Sequence, residues 1–353
     1  TAGVARSNEE PVVSWIEQVV QADHFVFSGN MTTASSSNSP MASSIASEIR
    51  KLPGVDRVMT LRYSRPEYNG TVVCIIALDA LDYARATRDR VPRGLPDVEK
   101  FLDLPGTNDV LVSDNFARRH NVKTGDEISL PGPTGRVNLH VIGTVRDYSW
   151  SRGTIFIDRT RYAQLFGDDL IDMCHVFLKS SRDGNAKRDP ELERFAADRG
   201  LFITDRHALR NFVSELINRI YLLAYLQQIV IGIVAALGVV TALLISVLQR
   251  KRELGLLLAV GATPSQVLRS VLAEAMLLGV IGTTLGILIG LPMEWYVLKV
   301  VLVDESGFML DVLFPWKQAL GIAAACILTA TLAGLLPAWR AIQTRIPDAL
   351  QYE

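Results

Sequence analysis

The sequence lacks the common motifs of a nucleotide-binding or hydrolytic enzyme. It contains no P-loop (GxxxxGK followed by Ser or Thr), so ATP cannot bind by that route, and neither HExxH nor GxSxG occurs. Its five histidines are scattered and do not combine with cysteines at the spacing of a zinc site. The sequence therefore predicts no catalytic residue, no metal and no cofactor in this chain.

A surplus of positive charge is also missing. The 353 residues include 36 Lys and Arg against 37 Asp and Glu, which gives a formal net charge of -1. Proteins that bind nucleic acid normally cluster surplus Lys and Arg on one face, where they contact phosphates. We therefore expect no nucleic-acid partner.

The three cysteines are too few for a disulfide framework. Cys326 lies inside an apolar run, whereas Cys74 and Cys174 lie in the strand-like segments TVVCIIAL and DMCHVFL. Two interpretations stay open for this pair. The thiols pair in an oxidising compartment, or both are buried and free, since cysteine is among the residues most often buried.

Long apolar runs are absent up to about Phe212 and dominate the sequence after it. A helix needs about 20 apolar residues to cross the hydrocarbon of a bilayer. Three runs meet this requirement, at about residues 221–248, 271–303 and 319–339. The sequence therefore predicts an all-α transmembrane domain of three helices within residues 206–353.

Charges in the connecting segments predict the orientation of these spans. Arg250, Lys251 and Arg252 follow the first span, and Arg340 and Arg345 follow the third. The segment between the second and third spans is acidic instead. Because positively charged loops stay in the cytoplasm, we expect the first loop and the C-terminus there, with residues before the first span on the other side of the membrane.

The start of the chain carries no signal sequence that would export this part. Residue 1 is Thr1, and apolar residues at helical spacing follow between Val12 and Val20. We expect residues 1–23 to form a helix that continues from a transmembrane helix preceding Thr1.

Residues 24–205 predict an α+β domain outside the cytoplasm, made of two modules. The first has a βαββ pattern, with strands at 24–28, 55–63 and 71–78 and a helix at 42–51. The second begins near Val110 and is rich in short strands and turns. We expect a porter-like βαββ module beside a small β-rich module.

Two features of the apolar half predict contacts with other helices or proteins. Gly282, Gly286 and Gly290 fall four residues apart on one helix face, and small residues at this spacing let helices approach closely in lipid. The segment KRELGLLLAVGATP at 251–264 mixes apolar and charged residues at the cytoplasmic face, with a turn and a helix start at its end. It forms either a docking element or a passive interfacial helix.

That segment closely resembles the RRRELGLLRALGAT stretch of FtsX-like permease domains. The tail from Pro337 to Leu350 resembles the PAxRAxxxxPxxAL ending of the same family. The text VLVSDNFARRHNVKTGDEISLPG, beginning at Val110, is similar to the MacB-like periplasmic core domain. Together these segments place the resemblance across nearly the whole chain.

The resemblance implies the permease subunit of an ABC transporter in the bacterial inner membrane, with ATP hydrolysis on a separate cytoplasmic ATPase subunit. It also implies four transmembrane helices around the external domain, a second permease protomer or repeat, and contact with membrane lipid. The substrate would be a lipoprotein, lipid, peptide or drug-like molecule, moved by mechanotransmission. A non-transporting regulator of a partner such as a cell-wall hydrolase is the alternative. The residues that match the family's ATPase-docking position are Arg252, Glu253, Leu254, Gly255, Gly261, Ala262, Thr263 and Pro264.

Overall fold

The computed structural model describes residues 21–29, 39–90, 97–179, 189–301, 316–335 and 339. The chain divides into two compact units. Of the residues that the structure describes, the α+β unit contains those up to residue 216 together with residues 298–301, and the helical unit contains residues 217–297, 316–335 and 339. The predicted opening helix over residues 1–23 lies outside the described residues, except for residues 21–23, which are not helical.

The described part of the α+β unit contains eleven strands, of which nine form one sheet and two form a hairpin. The strands are β1 (His24–Phe27), β2 (Val55–Ser64), β3 (Glu67–Tyr68), β4 (Thr71–Val72), β5 (Cys74–Leu78), β6 (Asp109–Ser113), β7 (Glu127–Gly132), β8 (Gly135–Val145), β9 (Thr154–Asp158), β10 (Met173–Leu178) and β11 (Phe202–Asp205). The helices are α1 (Ser44–Ile49), α2 (Ala80–Arg90), a 3-10 helix (Val98–Asp103), α3 (Asp114–Arg119), α4 (Arg159–Phe166) and α5 (Pro190–Asp198).

The two predicted modules share a single sheet. Its strand order is β11-β1-β10-β2-β5-β9-β6-β8-β7. The first module supplies β1, β2 and β5, and the second, which begins near Val110, supplies β6 to β10. The modules meet where β5 and β9 pair in parallel, from Cys74 opposite Thr154 to Leu78 opposite Asp158, and again where β10 lies between β1 and β2. The mixed α and β class agrees with the sequence prediction, whereas the sequence did not reveal this shared sheet.

Strand β5 lies at the centre of the core and is buried on both faces. Its alternate residues Cys74, Ile76 and Leu78 belong to one apolar cluster, and Ile75 and Ala77 belong to another. Successive side chains of a strand point to opposite faces of its sheet, so these clusters lie on opposite sides. The first is covered by α2 and the 3-10 helix, and the second by α3 and α4. A third cluster, under α1 and α5, covers the β1, β10 and β2 part.

The two strand cysteines are buried free thiols. Cys74 belongs to the cluster beneath α2, whereas Cys174 belongs to the cluster beneath α1 and α5, on the other face of the sheet. Burial raises the pKa of each thiol to about 12. Of the two interpretations left open by the sequence, the structure therefore supports the free, unreactive thiols.

The helical unit is built from four helices in its described part. These are α6 (Arg206–Gln249), which begins in the α+β unit, α7 (Lys251–Ala259), α8 (Pro264–Tyr296) with a π-helical extension (Val297–Val301), and α9 (Trp316–Ala333). By length and composition, Tyr225–Gln249 and Pro264–Val301 are apolar enough to cross a membrane. The apolar part of α9, Ala319–Ala333, is shorter. The third span, expected over 319–339, extends beyond the described residues and stays a prediction.

Gly153 provides a test of how the turn before β9 packs. Its φ is +107°, and a Cβ there would lie 2.7 Å from the Cβ of the buried Phe116. Gly125 has a similar φ of +96° with no atom within 4 Å of such a Cβ. Both substitutions to Ala meet the left-handed backbone penalty of ~1–2 kcal/mol, and only Gly153→Ala adds overlap. We expect Gly153→Ala to lower the thermal unfolding midpoint more than Gly125→Ala. Equal midpoints would contradict this packing.

Candidate functional site

Helix α7 presents two faces of different character. Leu254 and Leu258, four residues apart, pack against a small apolar cluster formed by Val247 of α6 and Val267 and Val271 of α8. Residues four apart lie on one face of a helix, so this face holds α7 against its neighbours. On its other side α7 is open to its surroundings. The apolar side chains exposed there and just after the helix are Leu256, Leu257 and Val260, at 52%, 54% and 82%.

The end of α7 is closed by a glycine turn. Gly261 has a φ of +106°, in the left-handed region that favours glycine. Its N–H donates to the carbonyl of Leu258, and the N–H of Ala262 donates to that of Leu257, at 3.2 and 2.9 Å. These two bonds form a Schellman motif, which satisfies carbonyls left unpaired at a helix end. The structure thus shows why glycine stands at position 261.

The next helix starts at the predicted position. Thr263 has extended backbone angles and precedes α8, whose first residue is Pro264. The side-chain oxygen of Gln266 accepts a hydrogen bond from the N–H of Thr263 at 2.8 Å. Proline suits the first position of a helix because it lacks the N–H that would be unpaired there. The eight residues assigned to docking therefore form one helix-turn-helix element, with four in α7, three in the turn and one at the start of α8.

A polar cluster joins this element to α6 and α8. The Arg250 guanidinium lies 3.3 Å from the carboxylate of Glu253 on α7 and 3.6 Å from that of Glu274 on α8. The Ser246 hydroxyl of α6 donates to the other carboxylate oxygen of Glu274 at 3.0 Å. Sequence reasoning missed Ser246 and Glu274. The available signal was the acidic residue inside an apolar run, since such residues usually face a partner.

The predicted glycine row is open within the described part of the chain. A Cβ added at Gly282, Gly286 or Gly290 would meet no described atom within 4 Å. Close approach occurs one turn earlier, where a Cβ on Gly279 would lie 3.1 Å from Ala330 Cβ and 3.2 Å from Ile327 Cα of α9. The glycine row therefore has no partner helix among the described residues, and its packing role stays a prediction.

The element has the properties of a protein-binding surface. Exposed apolar side chains beside charged ones suit contact with another protein, in which the apolar groups are removed from water. Among the described residues, no three His, Cys, Asp or Glu side chains are grouped so that they could hold a metal ion.

Known proteins resemble both parts of the chain. Residues 228–346 match the FtsX-like permease C-terminal family. An uncharacterized ABC transporter permease protein of Mycobacterium tuberculosis is 25% identical over 351 residues, which are 98% of this chain and 41% of that protein. The macrolide export ATP-binding/permease protein MacB of Chromobacterium violaceum is 26% identical over 325 residues, which are 85% of this chain and 46% of that protein. The chain spans less than half the length of these curated relatives.

Among solved structures, the periplasmic region of MacB from Actinobacillus actinomycetemcomitans covers 59% of this chain and 98% of its own. Its sequence identity is 12% and its TM-score is 0.38. The resemblance to FtsX-like permeases, inferred from residues 251–264, is confirmed by the family match, whose range includes all of them.

Two leucine substitutions distinguish Gly279, which packs against α9, from Gly286 in the open glycine row. Leu at position 279 would overlap the backbone of α9, and overpacking of this kind typically costs ~1–3 kcal/mol. We expect Gly279→Leu to lower the thermal stability of the purified monomer in detergent. Gly286→Leu should leave that stability unchanged and should reduce self-association in lipid, measured by chemical cross-linking. A destabilised Gly286→Leu monomer would show that the row packs within the chain.

Proposed function

We propose that this chain is the permease part of an ABC transporter of the MacB/FtsX type. In this proposal a separate cytoplasmic ATPase subunit docks on the α7–turn–α8 element, and hydrolysis of ATP displaces the α+β unit on the other side of the membrane. The observation that carries the proposal is the divided character of α7. One face is held by its own chain, while Leu256, Leu257 and Val260 are exposed.

The charge distribution supports a cytoplasmic position for this element. Arg250 and Arg252 flank the start of α7, and positively charged loops between spans remain in the cytoplasm. The α+β unit, which precedes the first candidate span, then lies outside the cytoplasm, and the C-terminus lies inside.

Helix α6 has the properties of a lever between the two compartments. It is 44 residues long without a proline, which gives ~65 Å at 1.5 Å per residue, about twice the hydrocarbon thickness. Its first turn is bonded to the sheet unit. The N–H of Arg206 donates to the carbonyl of Asp23 at 3.2 Å, and the N–H of Ala208 donates to the carboxylate of Asp205 at 2.6 Å. Leu209 packs against the apolar cluster beneath α2. A helix anchored in this way transmits displacement, which is the basis for mechanotransmission.

In the proposal, a second permease subunit packs against the open glycine row. Gly282, Gly286 and Gly290 would let a helix of another protomer or repeat approach closely in lipid.

The substrate would be a lipoprotein, lipid, peptide or drug-like molecule. The name of the MacB relatives, macrolide export proteins, supports the drug-like class.

Substitution of an exposed leucine tests the docking surface. Leu257→Glu places a charge where the proposal buries an apolar side chain, so we expect affinity for the ATPase subunit to fall roughly tenfold or more. The protein would be purified in nanodiscs and titrated with a candidate ABC ATPase subunit from the same organism. Leu102→Glu is the matched control, because Leu102 is 42% exposed in the α+β unit. Equal affinity of both variants would refute docking at α7. Binding without any stimulation of hydrolysis or transport would favour the regulatory alternative.

A flexible insertion tests the lever. A Gly/Ser spacer after Asn218 interrupts α6 near the boundary of the two units. We expect ATP hydrolysis by the purified complex to continue, while the variant fails to complement a deletion strain, because a flexible linker absorbs displacement. The same spacer between Pro133 and Thr134, in the turn between β7 and β8, serves as the control and should complement. Full complementation by the Asn218 variant would reduce α6 to a tether.

A further inference from the structure

Helices α6 and α8 make contact through a small apolar cluster next to α7, formed by Val247 of α6 with Val267 and Val271 of α8. Leu243 of α6 and Ala275 of α8, both fully buried, lie beside the end of α9 instead. A Cβ on Gly334 would lie 3.4 Å from Leu243 Cδ1 and 2.7 Å from Ala275 Cβ.

Polar contacts lie beside this apolar cluster. Ser246 and Arg250 occupy successive turns of α6, and both contact Glu274 of α8, at 3.0 Å through a hydrogen bond and at 3.6 Å through an ion pair. Glu274 directly precedes the fully buried Ala275. A polar group within an apolar helix contact can set the register of the helices, because a shift would leave it without its partner.

The position of Glu274 gives this contact more weight than an ordinary surface ion pair. Glu274 lies ten residues after Pro264, or ~15 Å along α8, and within a candidate membrane span. A charge at such a position is costly unless it is paired. The side chain of Glu274 is 39% exposed, against 70% for Glu253, and Arg250 is itself 58% exposed. Ion pairs in water contribute little, so the contact with the less exposed Glu274 is the one that we assign to holding Arg250 in place.

Arg250 is also the single residue between α6 and α7. Its backbone begins α7, and its side chain is anchored to α8. Loss of the anchor would leave α7 attached through its leucine contacts and through the turn at Gly261. The direction in which α7 leaves α6 is thus set at Arg250.

We propose that Arg250, through Glu274 and Ser246, is the positioning residue that fixes the docking helix α7 relative to the two long helices. This inference rests on the proposed docking role of α7. When an ATPase subunit moves α7, the ion pair passes that movement to α6 and α8 rather than letting α7 turn independently.

The first experiment measures the position of α7 without any ATPase. Spin labels at Leu257→Cys on α7 and Met276→Cys on α8 report the distance between these helices in the full-length protein in nanodiscs. Cys326→Ala removes the exposed native thiol, and Cys74 and Cys174 are buried. We expect a single narrow distance distribution in this background. Glu274→Gln should broaden it and add a second component, because Ser246 can still donate to the amide oxygen whereas Arg250 loses its charged partner on α8 and keeps only Glu253 of α7.

Two further variants separate the ion pair from a general packing effect. The charge exchange Arg250→Glu with Glu274→Arg should restore the narrow distribution, which a merely structural role for either side chain would not do. Glu253→Gln is the matched control and should leave the distribution narrow. If Glu274→Gln does not fold, Arg250→Gln tests the same pair from α6. A narrow distribution in the variant that breaks the pair would overturn the proposal.

The second experiment connects position with coupling. In the assembled complex, Glu274→Gln should bind the ATPase subunit normally but lose roughly fivefold or more of the permease-stimulated hydrolysis, and the charge exchange should regain it. Full stimulation in Glu274→Gln would refute the inference while docking stands. If the wild-type protein binds no ATPase, the proposed function fails, and the label distances still decide whether Arg250 positions α7.

Discussion

The solvation of apolar side chains on α6 and α8 is the constraint on which the rest of this molecule depends. In the most apolar 18-residue stretch of each candidate span, only 6% (α6) and 11% (α8) of the residues are buried within the chain. A core helix of a water-soluble protein is mostly covered by its own chain, whereas these helices leave leucine, isoleucine and valine side chains uncovered along most of their length. We expect lipid or other helices to cover this surface, because exposing an apolar patch of that extent to water is energetically unfavourable.

This constraint explains the polar contacts that the structure describes at the α7 end of the helical unit. Within hydrocarbon, backbone groups are satisfied inside each helix, and side-chain charges need a partner. The Arg250–Glu274–Ser246 contacts meet that requirement next to the turn that starts α8. These residues therefore give the Glu274 carboxylate its polar partners within an apolar helix. By our proposal they also set the direction of α7, the only short helix described in this unit. An exposed surface held in a fixed direction is what a docking partner requires.

The α+β unit solves a different problem, that of a large sheet in water. Helices cover both of its faces. The partly buried Arg62 and the buried Asp147 both have close polar partners. Arg62 on β2 lies 2.7 Å from Asp168 and 2.9 Å from Asp172, in the segment before β10. Asp147 is bonded to the hydroxyls of Ser149 and Thr154 at 2.7 and 2.6 Å, although burial still raises the pKa of its carboxyl group. The sheet and the helices that cover it thus form one compact unit.

The sequence alone determined the features that depend on local patterns. Apolar length predicted spans at about residues 221–248 and 271–303, which overlap Tyr225–Gln249 and Pro264–Val301 of the structure. Gly261 with Thr263 and Pro264 marked the turn and the start of α8, because these residues have specific backbone preferences. Tertiary structure decided what depends on residues far apart in the chain. The parallel pairing of β5 with β9 joined two apparent modules, and Cys74 and Cys174 fell on opposite faces of the sheet. Glu274 of α8 came within ion-pair distance of Arg250, 24 residues earlier in the chain. A local pattern shows which face of a strand or helix is apolar, but not which of several apolar faces will cover it, since the burial free energy is nearly the same for each.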